Sequence, residues 1–84
     1  MWGAGSKGIT FLNTFDLIDV FDCVVDINPK KHGMFAAGSG HPIVAPEHLR
    51  RATPDTVIVA NPVYRTEVEG ILAGMGLAPE VTTL

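Results

Sequence analysis

One cysteine, Cys23, stands in the whole chain, which excludes an internal disulfide. No C-x-x-C or H-x-x-x-H spacing occurs, so no metal site is expected. That cysteine usage fits a reducing cytoplasm. Basic runs are equally scarce: none exceeds Lys30-Lys31 or Arg50-Arg51, and the net charge is −3. Nucleic acid and anionic membranes are therefore not expected as the main partners. No stretch approaches the roughly 18 apolar residues of a membrane span. The N-terminus lacks a basic region followed by a long apolar stretch, so no secretory leader is expected. No nucleophile elbow, Ser/His/Asp set or carboxylate dyad can be assembled, and no internal repeat or low-complexity segment occurs. On its bare residues the chain carries no catalytic machinery.

What remains is the composition of an ordinary globular domain, 46% hydrophobic and 18% charged. Eighty-four residues make one domain at most. A chain of that size buries only about 60% of its unfolded surface, so its core is marginal. Two runs read as buried strands. Cys23-Val24-Val25-Asp26-Ile27 is closed by Asn28-Pro29, and Thr56-Val57-Ile58-Val59-Ala60 is closed by Asn61-Pro62. Continuous apolar runs of this length suit a parallel sheet covered on both faces. Within the first run Cys23 reads as a buried thiol. Pro42-Ile43-Val44 is a shorter candidate, and Glu80-Val81-Thr82-Thr83 reads as an edge strand.

Helical patterns fill the gaps. Phe11, Leu12, Phe15 and Ile18 form an apolar stripe after Gly8. Asp16, Asp19 and Asp22 at its tail read either as a metal cluster or as solvated acids. Pro46 to Ala52 makes a short helix with Pro early and Arg late, as the macrodipole prefers. From Tyr64 to Met75, apolar residues recur at Val68, Ile71, Leu72 and Met75, and Gly76 is the expected stop. Strands alternating with helices predict right-handed crossovers in an α/β, three-layer Rossmann-like domain with a parallel sheet. The central first strand would run immediately before Trp2-Gly3, so residues 1–84 are expected to be a fragment of a longer protein with that strand truncated.

The chemistry gathers at three turns. MWGAGSKG carries G-x-G-x-x-G at Gly3, Gly5 and Gly8. In a strand–turn–helix setting Gly3 permits the tight turn, Gly5 lets the backbone approach a diphosphate, and Gly8 allows close helix–strand packing. The helix start then offers N–H groups and a positive dipole end to an anion. Asp26, eighteen residues after Gly8, sits where an acid would take a ribose diol. The competing reading is a turn whose glycines serve packing alone. Lys7 either adds charge to a phosphate or decorates an exposed turn. At the second turn, Asn28-Pro29-Lys30-Lys31 either neutralises a phosphate or is solvated. At the third, Asn61 and Tyr64 project at the same rim, or Asn61 caps the helix that Pro62 begins. His41, in the loop Gly38-Ser39-Gly40-His41-Pro42, reads as an acid/base or as a structural histidine; His32 and His48 carry no stronger signal.

Taken in order, WGAGSKGITFLN, VVDINPKKHG, GSGHPIVAPE and PDTVIVANPVYRTEV resemble the C-terminal domain of S-adenosylmethionine-dependent C-methyltransferases. These include enzymes that methylate a carbon of nucleotide-linked deoxysugars. The resemblance runs from Trp2 to about Leu77. It implies a Rossmann-like domain that helps hold a nucleotide-sugar substrate against an upstream methyltransferase domain. S-adenosylmethionine and zinc are then expected in the upstream domains and no cofactor in this one, which would not be catalytic alone. Gly3, Gly5, Gly8, Asp26, Asn28, Lys31, Asn61 and Tyr64 fall on the motif positions. The loop Met34-Phe35-Ala36-Ala37-Gly38 departs from the family by lacking its Pro-Gly. Two further readings stand beside this one: a free-standing NAD- or nucleotide-binding module, and a structural domain with a vestigial site. A short sheet edge leaves a homodimer open.

Overall fold

The computed structural model describes residues 1–14 and 20–83. The stripe and acid positions Phe15, Asp16, Ile18 and Asp19 lie outside the described residues. The elements in chain order are α1 (Ser6–Thr14), β1 (Val24–Val25), β2 (Ile43–Val44), β3 (Thr56–Val59), α2 (Arg65–Gly74) and β4 (Glu80–Thr83). Short 3₁₀ turns at Pro29–Lys31, Pro46–Arg50 and Pro62–Tyr64 lie between them. The result is a small mixed α/β fold.

Two parallel two-stranded sheets form, β1 with β2 and β3 with β4. Val24 pairs with Ile43, and Thr56 through Val59 pair with Glu80 through Thr83. Trp2 joins them, making parallel bridges to both Val25 and Val59. Its N–H donates to Ile58 O at 2.8 Å, and its carbonyl accepts from Ala60 N at 3.0 Å. On the other side Val25 N donates to Met1 O and Gly3 N to Val25 O, both at 2.7 Å. The segment before the glycine turn therefore occupies the middle position.

Because side chains alternate along extended backbone, neighbouring residues enter different cores. Met1, Val24, Ile43 and Ala60 pack with Leu12 of α1. Trp2, Val25, Val57 and Val59 pack with Val68 and Leu72 of α2. Each helix thus covers one face. Leu12, Val24, Val59, Val68 and Leu72 are the largest side chains removed almost completely from water. Truncating one of the leucines to alanine in such a site costs about 2–5 kcal/mol.

The expected strand over Cys23–Ile27 shortens to Val24–Val25. Its partner is only two residues long, held between the His41-Pro42 loop and the turn that Pro46 begins. The expected helix from Pro46 to Ala52 is a 3₁₀ turn over Pro46–Arg50, because Ala45 gives its start no side-chain cap and five residues are too few to nucleate an α-helix. The α2 helix ends as expected. Gly76 has φ +74°. Gly76 N donates to Ala73 O and Leu77 N to Leu72 O, both at 3.0 Å, the paired bonds of a Schellman stop. Leu77 then packs onto the same core as Leu72.

Cys23 is half-buried against the α2-side core. Burial pushes its thiol up from the ordinary value of 9.0; the nearby N-terminal amine opposes this and Asp22 adds to it. An unfolded chain releases that proton first, so the thiol's contribution to stability is complete below pH 9.0 and is lost as pH rises through the folded value. Iodoacetamide should modify native Cys23 more slowly than the urea-unfolded chain at pH 8.5, and Cys23→Ala should flatten the alkaline fall in stability.

The two kinds of glycine should respond oppositely to alanine. A Cβ on Gly8 would lie 2.4 Å from Gly3 O, whereas one on Gly70, inside α2, would meet nothing within 4 Å. Gly8→Ala should lower stability by about 2 kcal/mol or more. Gly70→Ala should raise it by about 0.5–1 kcal/mol. Urea denaturation followed by circular dichroism reads both.

Candidate functional site

Beyond the C-terminal ends of β1, the Trp2 segment and β3, a cavity of about 430 Å³ opens. Trp2, Val59 and Val68 supply its apolar wall. Of the nine residues that the sequence singles out, eight line it: Gly3, Gly5, Lys7 and Gly8 from the first turn, Asp26 and Lys31 from the second, Asn61 and Tyr64 from the third. Asn28 does not line it. Its Oδ1 accepts from Lys30 N at 3.0 Å, capping the Pro29–Lys31 turn. A volume of several hundred Å³ is in the range that encloses a small organic ligand.

The three glycines differ in what surrounds them. Gly3 has φ +115°, a conformation that side chains disfavour, and its Cβ position is 3.3 Å from Ala60 Cβ. Gly8 is hemmed in by Gly3 O, Ala60 and Met1. Around the Cβ position of Gly5 nothing lies within 4 Å. The first and third glycines thus serve turn and packing, and the second leaves backbone open at the cavity.

Asp26 ties two turns together. Its Oδ2 accepts from Ala4 N at 2.9 Å, and its Oδ1 accepts from Asn28 N at 2.8 Å. Lys31 Nζ stands 3.9 Å from the same Oδ2 and donates to Ala4 O at 3.4 Å. His32 Nε2 donates to the Asp26 carbonyl at 2.5 Å. The Asp26 side chain is only 14% exposed, so little of its carboxylate is left to meet a ligand. Asn61 both lines the cavity and caps, its Oδ1 accepting from Val63 N at 3.1 Å. Tyr64 closes the 3₁₀ turn with its ring more than half exposed.

Ile27 and Glu67 also line the wall; both lie within the stretches that carry the family resemblance but are not among the nine residues that the sequence singles out. Ile27 follows Asp26 at the rim and is more than half exposed. Glu67, in the first turn of α2, brings a second carboxylate. Its spacing of three from Tyr64 on a helix start was the available signal. His41 is buried away from the cavity, its Nδ1 2.8 Å from Ser39 Oγ, which fits the structural reading of that histidine. No three His, Cys, Asp or Glu side chains come together as a metal site among the described residues. No helix among them is long and apolar enough to cross a membrane.

The family model described as C-methyltransferase C-terminal domain matches residues 1–76. No curated protein and no solved structure gives a significant match.

Replacing Asp26 with asparagine keeps the shape and removes the charge, so one of the Ala4 and Asn28 N–H groups faces an amide NH₂ or a weaker acceptor. Asp26→Asn should lower stability by about 1–3 kcal/mol. Amide hydrogen exchange should quicken at Ala4 and Asn28 and stay unchanged at Val68 and Leu72.

Proposed function

Because the chain belongs to the C-methyltransferase C-terminal domain family, we propose that it is the substrate-orienting domain of an S-adenosylmethionine-dependent C-methyltransferase acting on a nucleotide-linked keto-deoxysugar. The observation that carries the reading is the cavity beyond the strand ends, into which Gly5 presents open backbone and Lys7 a cation. Ligands of parallel α/β sheets collect at that rim. The succession β2, β1, Trp2, β3, β4, parallel throughout and faced by α1 on one side and α2 on the other, supports a Rossmann-like identity for the domain.

In this reading the diphosphate lies against the Gly3–Gly8 turn, with the start of α1 and Lys7 facing it. Lys31 adds positive charge from the second turn, Asp26 and Asn28 keep that turn in shape, and Tyr64 offers a ring face to the base or sugar. The upstream domain holds S-adenosylmethionine, which supplies the methyl group, and a separate zinc-binding module precedes it. Removal of the proton next to the keto group by a base of that domain would give an enolate. Its carbon would form the new C–C bond as the C–S bond of the methyl donor breaks, and S-adenosylhomocysteine would leave. This chain would contribute orientation, which lowers a barrier by several kcal/mol when reacting atoms are held in line. A cytoplasmic location is part of this reading, and the lone cysteine is consistent with it.

A thermal-shift titration tests the reading. TDP-glucose should raise the melting temperature as RT ln(1 + [L]/Kd) requires, about 2.7 kcal/mol of stabilisation at 100 times Kd. S-adenosylmethionine should not raise it, and Lys7→Ala should weaken the effect of TDP-glucose. Stabilisation by NADH alone would replace the sugar-nucleotide reading with that of a dinucleotide-binding module.

A further inference from the structure

The polar groups around the cavity fall into two sets. Asp26 Oδ1 and Oδ2, Lys31 Nζ and Asn61 Oδ1 already bond to backbone or to one another. Lys7 and Glu67 are exposed at the cavity wall and form no ion pair among the described residues. Arg65, the cation nearest in sequence to Glu67, is turned elsewhere: its Nε is 3.4 Å from Glu69 and its guanidinium donates to Val81 O at 3.1 Å. An ionised carboxylate can only accept. A free one at a cavity wall therefore suits a ligand's hydroxyl donors and repels its phosphates.

We infer that Glu67, not Asp26, is the acid that recognises ligand hydroxyls in this cavity, while Asp26 is a positioning residue that braces the glycine turn. The inference rests on the nucleotide-sugar reading above and deepens it. The ligand is bipolar: its anionic part lies toward Gly5 and Lys7, and its hydroxyl-bearing sugar lies toward α2. Asp26, just after β1, where a ribose-binding acid is expected from sequence, has its carboxylate committed to Ala4 N and Asn28 N. Glu67 takes its place at the cavity wall, carried on the helix that follows β3. Tyr64, three residues before it, also lines the cavity and in this reading would limit how far a sugar slides toward solvent.

Calorimetric titration of the full chain with TDP and with TDP-glucose separates the outcomes. Glu67→Ala should weaken TDP-glucose about tenfold, the effect of removing a hydrogen bond to a charged group, and should change TDP by less than about twofold. Glu67→Gln should fall between them. Lys7→Ala should weaken both ligands alike. A Glu67 that serves only the dipole of α2 would lower the melting temperature while leaving the ratio of the two affinities unchanged, and that result would overturn the inference while leaving the nucleotide-sugar reading in place. Failure of both ligands to bind the unaltered chain at millimolar concentration would remove that reading and the role of Glu67 with it.

Discussion

The approach of Gly8 to the carbonyl of Gly3 leaves no room for a methyl group, because a Cβ at Gly8 would lie 2.4 Å from that oxygen. This contact sets how closely α1 follows the central Trp2 segment. It fixes the angle at which Leu12 enters the core of Val24, Ile43 and Ala60. It also decides where the next backbone amides point. A wider turn would lift α1 from the sheet and move Ala4 away from the Asp26 carboxylate. Packing and site geometry are therefore set by one close contact, and the glycine pattern matters to the fold before it matters to any ligand.

Trp2 has a matching role within the sheet. It makes parallel bridges to both flanking strands and its indole fills the core beneath α2. An aromatic of that size removes about 150–250 Å² from water. In a small domain this is a large share of the available burial, which makes it a single point on which both sheet pairs depend. The strands beside it are short, two residues in β1 and β2. Side-chain ties compensate where the ladder is brief: Asp26 to Ala4 N, Lys31 to Ala4 O, and Asn13 Nδ2 to Ala37 O at 2.9 Å.

Much of this was legible in the sequence, for identifiable reasons. Val24-Val25 and Thr56 to Val59 are β-branched runs closed by Asn-Pro, and both became strands. Gly76 stopped α2 because only a residue at ease with positive φ completes the paired terminal bonds. Gly3 and Gly8 read correctly as turn and packing positions because spacing alone encodes their backbone needs. Strand length was less legible, since it depends on how far a distant partner runs. Nothing local in Cys23–Ile27 says that β2 offers only two residues. The start at Pro46 could not show whether the turn would be α or 3₁₀, because that depends on a cap which Ala45 does not provide.

The wall of the cavity shows the limit most clearly. Spacing brought eight of the nine chosen residues to one place, yet it could not say which of their polar atoms would remain free. Asn28 and Asn61 use their side-chain oxygens as caps, as residues before proline at a helix start commonly do. Asp26 sits where a ligand acid belongs, but a carboxylate beside two free backbone N–H groups satisfies them first, since an unmet buried N–H costs more than a solvated hydroxyl outside. The acid left exposed at the cavity wall, Glu67, has no backbone donor bonded to its carboxylate among the described residues. Glu67 lies after three residues of 3₁₀ turn, where Asn61 has already capped the start, so its carboxylate stays available. Motif positions therefore gather at one cavity, and competition for hydrogen bonds within the fold decides which of their atoms remain open toward it.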